Sequence, residues 1–123
     1  MAFHFDFRQV EPDVTVATLT GMLNLGNRVA EFEQAIKQRI WDGSRKMVFD
    51  LTGLTYIDSA GLGMVATAAG LMQKSGGKLV VVSPGGKITQ MFEITRLNRL
   101  INIFTDVEEA CDSFPDTADE AKP

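Results

Sequence analysis

The run Val48-Phe49-Asp50-Leu51-Thr52-Gly53-Leu54-Thr55-Tyr56-Ile57-Asp58-Ser59-Ala60-Gly61-Leu62-Gly63 constrains the fold more than any other stretch of the chain. It reads as a buried strand, a turn, and then a hydroxyl at a glycine-lined helix start. An apolar strand of this kind needs helices to cover it, which is the condition of a parallel sheet. Ser59 follows an acid and precedes an apolar helical pattern. Its side-chain oxygen is therefore expected to cap the helix, accepting from a backbone N–H that the first turn leaves unpaired. A phosphate on Ser59 would use the same donors and the positive end of the helix dipole, with Gly61 and Gly63 keeping side chains out of the way. The residues point to a serine that phosphorylation can switch.

The rest of the chain supplies the other layers. Phe3, Phe5 and Phe7 alternate with His4, Asp6 and Arg8, the period of a half-buried strand. Val14 to Leu19 reads as a second strand, with Glu11-Pro12-Asp13 as the hairpin turn between them. Asn24 and Leu25 are expected to open a helix whose apolar face is Leu25, Val29, Phe32, Ile36 and Ile40, and Gly43 ends it. Trp41, near that end, is expected to seal the rim of the core. Met47 to Leu51 and Leu79 to Val82 have the look of strands covered by helices, and the helix from Ser59 runs to about Ser75, where Gly76-Gly77 stops it. A third helix is expected over Gly86 to Ile94 with Ile88, Met91 and Phe92 inward. Ile101 to Phe104 reads as the last strand, and Asp106 as the cap of a helix to about Ser113. Alternating strands and helices predict a single α/β domain over 1–114 with a mixed, mostly parallel sheet. The acidic stretch 115–123 has nothing to bury and is expected to be disordered.

Composition narrows the function classes. Apolar residues make up 45% of the 123 residues and charged residues 23%, ordinary for a folded domain. The net charge of -4, with no block of Lys and Arg, speaks against nucleic acid as a partner and for a protein. The N-terminus lacks the pattern of a secretory signal, and no run approaches the roughly 20 apolar residues of a membrane span, so a cytoplasmic protein without membrane insertion is expected. Cys111 is alone and reads as a core-facing helix position. His4 is the only histidine, and no ligand cluster accompanies it, so no metal and no cofactor are expected.

Two phosphate-binding patterns are nearly met. Gly61-Leu62-Gly63-Met64-Val65-Ala66 satisfies G-x-G-x-x-A. Its strand is expected to end near Leu51, however, and Val82 and Ser83 stand where an acid should hold a ribose. Gly86-Lys87-Ile88-Thr89 lacks both the first glycine and the hydroxyl of a phosphate loop, and reads as a helix start. Ser59 has no base in view, so it is read as a substrate for another protein's catalysis and the chain as no enzyme. The Ser59 helix also carries a second apolar stripe, Met64, Ala68 and Leu71, beside Leu62, Val65, Ala66, Ala69 and Met72. Either helices cover both stripes, or the second lies exposed as a docking patch.

Asp58-Ser59-Ala60-Gly61-Leu62-Gly63 resembles the D-S-x-G-L-G signature of STAS domains, the bacterial anti-sigma factor antagonists. Gly21 to Asn24, Lys78 to Ser83 and Leu97-Asn98-Arg99-Leu100 continue the resemblance, which spans about Phe5 to Ser113. It implies helices mainly on one face of the sheet and Ser59 exposed at a strand's carboxyl end. It further implies that Ser59 is phosphorylated by an anti-sigma factor that is also a serine kinase, that the unphosphorylated form sequesters that partner and so frees a sigma factor, and that a phosphatase resets the switch. The expected partner surface comprises Asn24, Asp58, Ser59, Ala60, Gly61, Leu62 and Gly63, with Met64, Ala68 and Leu71 of the second apolar stripe as its docking patch. The family also includes modules of signalling scaffolds and accessory subunits of lipid or anion transporters, the alternative role. The chain departs from the family pattern at Asn24, where many members have Asp, and at Arg96, where a Gly commonly precedes the Leu.

Overall fold

The computed structural model describes residues 2–24 and 26–114. Five strands form one sheet in sequence order: β1 (Phe3–Val10), β2 (Val14–Leu23), β3 (Lys46–Ile57), β4 (Lys78–Val82) and β5 (Ile103–Phe104). β1 pairs antiparallel with β2, and every later neighbour is parallel. The crossovers carry α1 (Asn27–Trp41), α2 (Ser59–Lys74) and α3 (Gly86–Ile94), and α4 (Val107–Asp112) follows β5.

The alternation within β3 explains the covered strand. Met47, Phe49 and Leu51 point into the larger core, which α1, α2 and α3 close with Phe32, Ile36, Leu62, Val65, Ile88 and Phe92. Val48 points to the other face and joins Val14, Val16, Val80, Val82 and Ala110 of α4. Both faces of the central strands are thus dry, as an unbroken apolar run requires. The β1 phenylalanines converge on α1, with the Phe32 ring 5.0 Å from Phe5, 5.8 Å from Phe3 and 6.0 Å from Phe7.

Several expected boundaries move. β3 continues past Leu51 to Ile57, because Leu54 and Ile57 are buried and the ladder to β2 resumes across two register shifts. Gly53 lies within this strand and does not make a turn, and a Cβ there would come 2.6 Å from Thr20 Cγ2. β2 likewise runs on to Leu23, so α1 begins at Asn27 and not at Asn24. Leu25 lies outside the described residues, as does the stretch from Pro115. Gly26 occupies the α1 cap position, its carbonyl accepting from Val29 N and Ala30 N at 3.2 Å. Trp41 does not seal the core rim, since 86% of it is exposed. Ile101 is buried but precedes β5, which starts at Ile103. α3 spans Gly86–Ile94 and α4 is capped by Asp106, both as the sequence predicts. Beyond α3, Arg96 adopts φ 63 and ψ 17, the left-handed conformation that suits the glycine common there.

Candidate functional site: the turn at Ser59

β2 and β3 end side by side, and their last register pair is Leu23 with Ile57. Asp58 N donates to Leu23 O at 3.4 Å, drawing the two carboxyl ends together just before α2. Asn24, directly after Leu23, sits half-buried in a bend at this junction.

The cap of α2 is Asp58, not Ser59. Asp58 is extended (φ -112, ψ -175), and its Oδ1 accepts from Gly61 N at 2.8 Å, while its carbonyl accepts from Leu62 N at 2.9 Å. Ser59 is displaced into the first helical position, where it is exposed and its hydroxyl bonds to no described residue. The other four serines differ. Ser44 Oγ is 3.1 Å from Thr15 Oγ1, Ser75 Oγ donates to Met72 O, Ser83 Oγ lies 2.6 Å from Thr89 Oγ1, and Ser113 Oγ donates to Ala110 O.

The two signature glycines serve different ends. A Cβ at Gly61 would fall 2.3 Å from Leu23 O and 2.9 Å from Ile57 Cγ1, so this glycine lets α2 lie against the ends of β2 and β3 and does not open the site. A Cβ at Gly63 would meet nothing within 4 Å, which leaves a smooth, exposed spot one turn from Ser59.

Of the residues expected on a partner surface, Asn24, Asp58, Ser59, Ala60 and Gly63 come together at this turn with at least part of each accessible. Gly61, Leu62, Met64 and Ala68 are buried and belong to the interior, and Leu71 is half-buried. The two apolar stripes of α2 are therefore core on both sides of the helix for most of their length, with α1 packing beside α2.

Sequence reasoning did not find the opposite wall. A groove of about 700 Å³ runs between Thr55, Tyr56, Ile57, Asp58 and Ser59 on one side and Lys87, Ile88, Gln90, Met91 and Ile94 of α3 on the other. Tyr56 is 45% exposed and Ile94 76%. The available signal was Ile94 itself, a large apolar residue off the inward face set by Ile88 and Phe92.

The nucleotide-like pattern gains strand context, because β3 reaches Ile57, yet its glycines lie within the first two turns of α2 with Gly61 sealed against Leu23. No backbone approach is left there for a pyrophosphate. Among the described residues no group of three His, Cys, Asp or Glu is placed to hold a metal ion, and no helix is long and apolar enough to cross a membrane. His4 is exposed on β1, two strands from β3. Cys111 packs half-buried against the second core, and that burial raises its thiol pKa above the usual value.

A five-stranded mixed sheet with Asp-Ser at the mouth of its second helix defines a small α/β domain. The chain belongs to the STAS-domain family, whose profile it matches over residues 8–110. The anti-sigma-B factor antagonist of Staphylococcus aureus is 30% identical over 82 residues, covering 65% of this chain and 76% of that one. The crystal structure of an anti-sigma factor antagonist from Mycobacterium paratuberculosis superposes with a TM-score of 0.83 at 21% identity, over 94% of this chain and 96% of its own. SpoIIAA of Bacillus, solved in its phosphorylated form, gives 0.70 at 23% identity, over 89% and 97% of the two chains.

Proposed function

We propose that this chain is a phosphorylation-controlled anti-sigma factor antagonist. With Ser59 unmodified it sequesters an anti-sigma factor that is also a serine kinase. Transfer of the γ-phosphoryl group of ATP to Ser59 Oγ, with release of ADP, breaks that complex, and a phosphatase restores the hydroxyl. The chain itself works as a cytoplasmic binding protein and supplies no catalytic group, since Ser59 has no histidine beside it. The names of the relatives supply the partner class. The observation that carries the reading is the unbonded hydroxyl of Ser59, alone among the described serines and free because Asp58 performs the cap. Asn24 presents a neutral amide at the same turn, so the acidic charge there comes from Asp58.

Intact-mass measurement and peptide mapping after incubation with ATP and the cognate kinase should find one phosphate, on Ser59. Phosphate chiefly on Ser44, Ser75, Ser83 or Ser113, or none on any residue, overturns the switch.

A further inference from the structure

Lys87 is the second residue of α3, where the positive end of the helix dipole disfavours a cation, and α3 has no acid in its first turn to offset it. It is exposed and makes no ion pair with any described residue. It also lines the same groove as Ser59. Helix stability does not account for the charge, which stands at the groove that Ser59 also lines.

We propose that the phosphate on Ser59 is bound within the molecule by Lys87, across the groove that both residues line. The inference rests on Ser59 being the modified residue. The titratable groups lining the groove are Tyr56, Asp58 and Lys87. Asp58 is held in place by its bond to Gly61 N, so a dianionic phosphate one residue away meets a fixed like charge. Among the described residues lining the groove Lys87 is the only cation, and a lysine on the helix opposite relieves that repulsion. Pairing offsets part of the phosphate charge that a partner would otherwise meet at this groove.

The test uses the full chain with phosphoserine incorporated genetically at position 59, so that no kinase is required. Phosphorus NMR titration reads the second pKa of the phosphate, ordinarily about 6. With Lys87 or Lys87→Arg it should lie about 0.5 unit lower than with Lys87→Gln. The backbone amides of 87–91 should follow the phosphate titration in the first two proteins and not in the third. Equal pKa values in all three proteins, or α3 amides that follow the phosphate despite Lys87→Gln, overturn the pairing. If the kinase leaves Ser59 untouched while the encoded phosphoserine shows the Lys87 dependence, the pairing stands and the switch reading falls. If the kinase modifies Ser59 and the titration ignores Lys87, the reverse holds.

Discussion

At Asp58-Ser59 two good capping residues stand next to each other, and the end of β3 decides between them. Because the strand runs to Ile57, Asp58 is the extended residue before the helix, and its carboxylate takes the cap bond. Asp58→Ala should therefore cost about 1 kcal/mol, a melting shift of about 4 °C for a domain of this size, while Ser59→Ala should stay within about 0.5 kcal/mol. Chemical denaturation of the two variants beside wild type checks it; equal losses would return the cap to Ser59. The sequence reading gives the cap to Ser59, which the structure corrects: either oxygen satisfies the same donor, and only the strand's length separates the cases. The neighbouring glycines make a sharper pair. Gly61→Ala drives a Cβ into the Leu23 carbonyl and should destabilise by about 3 kcal/mol, whereas Gly63→Ala enters open space in a helix and should stabilise by about 0.5 to 1 kcal/mol. Thermal melts of both proteins decide the matter.

Among the elements, those with strong periodicity were legible and their ends were not. α3 and the Asp106 cap fall where the pattern puts them, because a glycine start and an acid before an apolar pair are local signals. β3 was read short, because Thr52-Gly53 resembles a turn. It stays extended through contacts with β2 that lie more than thirty residues away in sequence, such as Thr55 Oγ1 donating to Gly21 O. The groove wall on α3 was invisible for the same reason, since only the crossover brings Lys87 and Ile94 opposite Ser59. Arg96 is a local departure whose effect is now placed: it holds φ 63 at the end of α3, a conformation that costs a side-chain-bearing residue about 1 kcal/mol or more. Arg96→Gly should stabilise the domain by about 0.5 kcal/mol once the greater freedom of glycine in the unfolded chain is subtracted, visible as a small rise in the denaturant midpoint at constant slope. A fall in that midpoint would mean that the Arg96 side chain supports the fold.

For the whole molecule, the division between core and turn separates folding from control. The Ser59 hydroxyl supports nothing in the interior, so charge placed on it should alter association and leave the fold alone. Ser59→Asp should weaken binding to the anti-sigma partner by about thirty-fold to several-thousand-fold, equivalent to roughly 2 to 5 kcal/mol, with a melting temperature close to that of wild type. Calorimetric titration alongside a melt measures both. Undiminished affinity in Ser59→Asp and in the phosphorylated protein alike would leave Ser59 without a regulatory role.

Trp41 is the only tryptophan of the chain and stands 86% exposed at the far end of α1 from Asn27. Its indole is bathed in water before unfolding as it is after, so the emission maximum has almost nowhere to move. A fluorescence melt would trace a nearly flat line through a cooperative transition that circular dichroism records in full. Tyr56, the only tyrosine, lies in the groove beside Ser59 and reports a different event. The chain thus carries two optical labels, one silent on whether it is folded and the other placed to register what happens at the Ser59 turn.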